Sequence, residues 1–263
     1  MLNEIIQGDC LEKLKDIPDN SIDLVVTSPP YDDIRDYKGY SFNFEGIAKE
    51  LFRVTKKGGV VVWVVGDTVV KGSETGTSFK QALFFKEVGF NLHDTMIYQK
   101  AGSSLPDPTR YFQSFQYMFV LSKGRPNTIN KIYDVKNRYG KDYKHTNQTV
   151  REKDGKCYPR RNREGNEYSY RGNIWRYLAG YNLTTTDKYA FEHPAMFPEK
   201  LAEDHIISWS NEGDVVLDPF AGSGTTLKMA KKLNRNYIGI EISAEYIKII
   251  HKRLGYVEER YSW

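Results

Sequence analysis

Val215-Val216-Leu217-Asp218-Pro219-Phe220-Ala221-Gly222-Ser223-Gly224-Thr225-Thr226 reads as a short buried strand, a glycine-rich turn and the start of a helix. Glycines at such a turn let the backbone bend tightly and let a ligand approach closely. In an open α/β sheet this is the carboxyl edge, where ligands bind. The same letters also fit a plain strand–helix turn. Three features favour a ligand. Asp218 ends the strand and places a carboxylate at the rim. The phosphate-loop pattern Gly-x-x-x-x-Gly-Lys is absent. Glu241 ends the next strand, Tyr237–Glu241, about 20 residues on, where an acid can bind two ribose hydroxyls. One acid for a ligand amine and one for a ribose suit S-adenosylmethionine better than a dinucleotide.

Working outward, the pattern continues in both directions. Pro198 at a first turn, with Leu201, Ala202, Ile206 and Trp209 on one side, predicts a helix over 198–209. Helices are predicted at Thr225–Leu233 and Ala244–Leu254. Upstream, Ile22–Thr27, Val60–Val65, Phe90–Gln99 and Tyr117–Leu121 read as strands. Phe44, Ile47, Ala48 and Leu51 lie at helical spacing and end before Gly58-Gly59, and Phe79–Val88 reads as a helix stopped by Gly89. The fold class is therefore α/β: an open, mostly parallel twisted sheet flanked by helices, with one inserted region.

A second stretch, Thr27-Ser28-Pro29-Pro30-Tyr31, follows the strand Ile22–Thr27. Two prolines fix two φ angles and stiffen the turn. The turn can then present a hydroxyl, a carbonyl and an aromatic ring in fixed positions, a set suited to a flat heterocycle and its exocyclic amine. In isolation it also reads as an ordinary Pro-rich turn. Asp67 ends the strand Val60–Val65 at the same edge; it reads equally well as a pocket residue or as a helix N-cap.

Composition bounds the rest. The 263 residues fit one domain, or one domain with an insertion, and 40% hydrophobic residues allow a core. No apolar run approaches ~18 residues, so no membrane span is expected. Met1-Leu2-Asn3-Glu4 shows no basic, apolar leader. Two cysteines, Cys10 and Cys157, make no disulfide framework. Intracellular, cytoplasmic residence is the default expectation.

The net charge of +4 is unevenly spread. From Arg125 to Tyr181 there are 14 Lys/Arg against 6 Asp/Glu, a local +8 that leaves the remainder at −4. Tyr133, Tyr139, Tyr143, Tyr158, Tyr168, Tyr170, Trp175, Tyr177 and Tyr181 interleave with these charges. Rings among cations suit base stacking beside phosphate contacts; a solvated loop is the plainer reading. From Lys123 to about Trp175 no long apolar stripe appears, which is unusual inside a compact domain.

Together the Ser28–Tyr31 turn, the basic insertion and the Asp218–Thr226 turn, in that order, resemble the β-class S-adenosylmethionine-dependent amino-methyltransferases of DNA, over nearly the full length. That group methylates cytosine N4 or adenine N6. Gly8-Asp9 resembles the motif whose Asp contacts the cofactor adenine. Arg110 through Tyr117 resembles the segment lining the target-base pocket, with Phe115-Gln116 where many relatives carry His-Glu. His193-Pro194-Ala195-Met196-Phe197-Pro198-Glu199-Lys200-Leu201 resembles the motif that closes over the cofactor's methionine end.

The resemblance implies a division of the chain into catalytic (1–122), target-recognition (123–182) and cofactor-binding (183–263) parts. It implies Ser28, Pro29, Pro30 and Tyr31 as catalytic residues. The cofactor pocket would draw on Asp9, Cys10, Thr27, Phe197, Asp218 through Thr226, Glu241 and Ile242. Asp67, Phe115 and Tyr117 would border the target base. Arg160, Arg161, Arg163 and Arg171 would meet DNA.

An exocyclic amine is a poor nucleophile because its lone pair is delocalised. Acceptors at Ser28 Oγ and the Pro29 carbonyl would bind its hydrogens and localise that pair. Tyr31 would stack on a base flipped from the duplex. Attack at cytosine C5 would need a thiolate, for which Cys10 and Cys157 are badly placed. No Cys/His cluster reads as a metal site. In the group it resembles, Ser-Pro-Pro-Tyr is mostly associated with cytosine N4 and Asp- or Asn-Pro-Pro-Tyr with adenine N6, so the resemblance implies cytosine N4 over adenine N6. Double-stranded DNA is the expected partner; a cognate restriction endonuclease and the oligomeric state stay open. Methylation of RNA or of a protein glutamine, and a non-catalytic nucleic-acid-binding module, are the alternatives.

Overall fold

The computed structural model describes residues 2–30, 42–101, 108–138, 140, 144–145, 149–159, 163–193 and 195–256, without the side chains of 144–145 and 163–164. Tyr31, Arg160 and Arg161, expected at the site, lie outside the described residues. The chain forms two units. The larger joins residues 1–130 to 173–263; the smaller is Lys131–Gly172.

Eight strands build the sheet of the larger unit: β1 (Glu4–Gln7), β2 (Ile22–Thr27), β3 (Thr55–Val65), β4 (Asn91–Ala101), β5 (Phe115–Ser122), β6 (Ile174–Leu178), β7 (Val215–Asp218) and β8 (Asn236–Glu241). Their order is β1-β8-β7-β2-β3-β5-β4-β6. Only β5 runs antiparallel to its neighbours. The β-branched runs of β2 and β3 suit a strand covered on both faces.

Among the described residues six α-helices flank the sheet: α1 (Cys10–Leu14), α2 (Phe44–Val54), α3 (Thr77–Val88), α4 (Glu199–Trp209), α5 (Thr225–Lys232) and α6 (Ala244–Leu254). Val61, Trp63 and Val65 of β3 join one core with Leu14, Ile47, Leu51 and Phe85 from α1 to α3. The alternate residues Val60, Val62 and Val64 are equally buried and face the other side. There α4, α5 and α6 pack in succession, with α4 on β2 and α5 on β7 and β8. Period-2 alternation in one strand thus feeds two helix layers.

Sequence and structure differ at several elements. β3 begins at Thr55 rather than Val60, because Thr55 pairs with Ile22 before a register shift. β5 extends to Phe115–Ser122, and Pro198 is the N-cap of α4 rather than part of it. Trp175 and Tyr177, read as aromatics of the basic insertion, are buried in β6 beside β4. Their alternation with exposed Ile174, Arg176 and Leu178 marks a sheet strand, so the second unit ends at Gly172. That unit is built from short antiparallel pairs, such as Tyr133–Lys136 with Tyr168–Tyr170 and Thr149–Arg151 with Cys157–Pro159. Among the described residues no helix is long and apolar enough to cross a membrane.

Candidate active site

Parallel pairing brings the carboxyl ends of β1, β2, β3, β7 and β8 to one edge of the sheet. Register places Gln7 beside Glu241, Asp218 beside Gly239 and Thr27 beside Trp63. The residues following these ends are Gly8-Asp9, Ser28-Pro29-Pro30, Gly66-Asp67, the Pro219–Gly224 turn and Ile242. The two motifs found in sequence therefore meet in space.

They are bonded to each other. Thr27 donates its hydroxyl to Asp218 Oδ1 at 2.7 Å. In the reverse direction, Thr226 Oγ1 donates to the Val26 carbonyl at 3.0 Å. Ser28 and Pro30 are half-buried and Pro29 is buried. The Phe220 amide also donates to Asp218 Oδ1, at 3.1 Å. The Phe220 ring packs edge-on against Phe42 and Trp63, which anchors the turn to the core.

Gly222 and Gly224 have φ of +52° and +80°, a region that L side chains rarely adopt. A Cβ on Gly222 would stand 2.8 Å from His193 Nε2. The His193 ring in turn packs on Tyr246, and its Nδ1 accepts the Ala195 amide at 3.2 Å. Phe197, half-buried, follows on the same segment.

Glu241 is fixed at both oxygens: Oε2 accepts the Gly222 amide and Oε1 the Ser243 amide, each at 2.8 Å. Asp9 caps α1 by accepting the Glu12 amide at 3.0 Å. Ile242, beside Glu241, is exposed. Burial pushes the Asp218 carboxyl up to about 6, against the opposing hydrogen bonds from Thr27, Thr226 and Phe220. Burial likewise raises Glu241, opposed by the Ser243, Gly222 and Ile242 amides. Cys10 is buried, and burial with the Asp9 and Asp218 charges lifts its thiol well above the ordinary range. A thiolate nucleophile is not supplied there.

S-adenosylmethionine needs an anion for its cationic end, hydroxyl acceptors for its ribose and an apolar wall for its adenine. Asp218 and the half-buried Phe220 on the glycine turn, and Glu241 at the end of β8, offer these three at one edge of the sheet, and the donor set fits.

At the end of β3, Asp67 serves as a cap. Its Oδ1 accepts the Ser78 amide at 2.9 Å and its Oδ2 the Ser78 hydroxyl at 2.5 Å, which holds the first turn of α3. Tyr117 stacks on Phe119 at 5.2 Å and meets Phe79 and Phe115 edge-on. Because β5 is antiparallel, its start, with Phe115, lies at the active edge.

In the smaller unit, Arg171 is held by both carboxylate oxygens of Asp134. Burdened with that internal pair, it offers DNA less than an unpaired guanidinium would. The backbone of Arg163 pairs with that of His145. Tyr133 and Tyr170 form an edge-on pair, with Lys131 over Tyr170 at 4.2 Å. Tyr168, Tyr158 and Val150 are also exposed.

Sequence reading missed one cluster. Arg253, Lys228, Asp187, Glu199 and Thr185 form a largely buried network behind the glycine turn. Burial alone would raise Asp187 and Glu199, but Lys228 and Arg253 hold both below their ordinary values. Nothing in residue spacing links position 253 to position 187.

A family model described as DNA methylase matches residues 22–252. The chain belongs to the N6/N4 DNA methylase family. This methylase is an S-adenosylmethionine-dependent DNA amino-methyltransferase of the restriction-modification type. It is 61% identical over 241 residues to the orphan methyltransferase M.BamHII of Bacillus amyloliquefaciens, covering 91% of each chain. It is 31% identical to the DNA adenine methyltransferase YhdJ of Escherichia coli, covering 98% of this chain and 84% of that one. The fold matches the PvuII DNA methyltransferase (cytosine-N4-specific) with TM-score 0.69 at 23% identity, over 100% of the methylase and 89% of that structure.

Proposed function

We propose that this enzyme transfers a methyl group from S-adenosylmethionine to the exocyclic N4 of a cytosine flipped out of duplex DNA, at a specific site. The observation that carries the reading is the Thr27–Asp218 hydrogen bond, which fixes the Ser28-Pro29 turn against the glycine turn.

When bound, S-adenosylmethionine supplies an electrophilic methyl on a sulfonium that leaves as a neutral thioether. Asp218, Glu241 and Phe220 would hold it, with Asp9 and Ile242 beside Glu241 and Phe197 from the other side of the turn. Ser28 Oγ and the Pro29 carbonyl accept hydrogen bonds from the two amine hydrogens. This localises the nitrogen lone pair and stabilises the positive charge that develops as the N–C bond forms. The nitrogen then releases one proton to solvent, the N–H electron pair stays on nitrogen, and the amine becomes secondary. Tyr31 stacks on the extruded ring, since the target atom is unreachable in the duplex. Phe115 and Tyr117 border the same pocket. Fixing both turns by one hydrogen bond supplies positioning, and positioning contributes much of the acceleration in such transfers.

The smaller unit is the DNA-reading part in this proposal. Its exposed Tyr133, Tyr168 and Tyr170 and its cations support stacking and phosphate contact. Arg160, Arg161 and Arg163 remain candidates, and Arg171, held by Asp134, is a weaker one. The name of the 61% identical relative, an orphan methyltransferase, supports action without a cognate restriction endonuclease. The free thiols Cys10 and Cys157 support a reducing, intracellular setting.

A second reading, adenine N6, is favoured by the name of the Escherichia coli relative. Both readings share one test. Ser28→Ala is expected to abolish methyl transfer to DNA while calorimetric binding of S-adenosylhomocysteine survives. Full transfer activity in this variant would remove Ser28 from the mechanism.

A further inference from the structure

Arg253 lies in the last turn of α6 with its side chain wholly buried. Its Nη1 donates to the Ser223 carbonyl at 2.9 Å, to Ser223 Oγ at 3.1 Å and to Thr225 Oγ1 at 3.0 Å. Its Nη2 donates to Glu199 Oε1 at 2.5 Å, and its Nε to Asp187 Oδ2 at 3.0 Å. One planar group therefore grips the glycine turn with one nitrogen. With another it grips the first residue of α4, two positions after Phe197.

A buried ion network is a costly way to gain stability alone, since apolar side chains of similar volume often do as well. The glycine turn, in contrast, needs an external hold. Gly222 and Gly224 both occupy the left-handed region and carry no Cβ to restrict them. The Ser223 carbonyl between them is the group that Arg253 fixes. A lysine brings one compact charge and cannot reproduce this fork.

We propose that Arg253 is a positioning residue that fixes the Ser223 peptide and the Phe197 segment in the shape that binds the methyl donor. The inference rests on the reading of the Asp218–Thr226 turn as the donor pocket. Lys228 provides the internal control. Its Nζ lies 2.8 Å from Asp187 Oδ2 and 2.8 Å from Glu199 Oε1, the same two acids, and only its backbone amide, at 2.9 Å from the Gly224 carbonyl, reaches the turn.

The experiment compares the parent, Arg253→Lys, Arg253→Met and Lys228→Met by calorimetry with S-adenosylhomocysteine, by KM for S-adenosylmethionine, and by Tm. Both Arg253 variants are expected to raise Kd and KM about tenfold or more, as loss of charge-assisted hydrogen bonds to the turn implies. Lys228→Met is expected to lower Tm while leaving Kd within about twofold. If Arg253→Met does not fold, Arg253→Lys carries the comparison, because it keeps the charge. An unchanged Kd in Arg253→Lys, or an equal rise in Arg253→Lys and Lys228→Met, would overturn the positioning role. Failure of the parent to bind S-adenosylhomocysteine would instead sink the pocket reading, and this inference with it.

Discussion

Thr27 Oγ1 and Asp218 Oδ1 are 2.7 Å apart, and 191 positions separate the two residues in sequence. Both are buried at the ends of neighbouring parallel strands. This bond couples the turn that presents Ser28 to the turn that carries Gly222 and Gly224. Thr27→Val keeps the shape and deletes the donor, leaving a buried carboxylate with one partner fewer. We expect a stability loss of roughly 1 to 3 kcal/mol by urea denaturation. The fall in kcat/KM should exceed the rise in donor Kd, because the Ser28 turn is loosened as well.

Asp218 makes the site pH-dependent. Its carboxyl is pushed up to about 6 by burial. Affinity for the cationic donor should fall as pH drops through about 6, where the carboxylate is protonated. Stability moves the other way. The unfolded carboxyl has a pKa of about 3.9, so between that value and the folded value the native state holds more protons. Stability is therefore lost as pH rises through this window. Asp218→Asn, which cannot ionise, should remove this pH dependence of stability while abolishing donor binding. Thermal denaturation and calorimetry at pH 5 and pH 8 check both signs.

Gly222→Ala places a Cβ 2.8 Å from His193 Nε2 at a φ of +52°. The backbone strain is on the order of 1 to 2 kcal/mol, and the ring clash adds to it. Adding His193→Ala should recover the clash part and leave the backbone part. A double-mutant cycle on stability should then show coupling of about 0.5 kcal/mol or more. Strict additivity would mean that the ring moves aside freely.

Glu241 accepts the Gly222 and Ser243 amides with its two oxygens. Glu241→Ala should weaken S-adenosylhomocysteine binding by about a hundredfold, since it removes hydroxyl acceptors and leaves two amides unsatisfied. Glu241→Gln, which keeps one carbonyl oxygen, should fall between Glu241→Ala and the parent.

The sheet was legible where side chains are buried on both faces. Ile22–Thr27, Val60–Val65 and Tyr237–Glu241 are apolar runs that only a covered strand explains. β1 was not legible, because Glu4–Gln7 is short and polar at both ends. β6 was misread because Trp175 and Tyr177 stand among basic neighbours, while their burial depends on pairing with β4. Asp67 had two readings in sequence, pocket residue and helix N-cap; it holds the first turn of α3 through Ser78, but the N-cap residue of that helix is Gly76. The turns at Ser28 and Asp218 were legible from their own letters. The Arg253 network was not, since a buried arginine in the last turn of a helix looks like any basic helix end.

Nucleoside composition tests the central claim most directly. DNA exposed to the enzyme and S-adenosylmethionine would be digested to nucleosides and resolved by chromatography with mass detection. The account predicts N4-methylcytosine, absent when Ser28→Ala replaces the parent. N6-methyladenine without N4-methylcytosine would contradict the choice of base, and 5-methylcytosine would contradict amine chemistry at the Ser28 turn altogether.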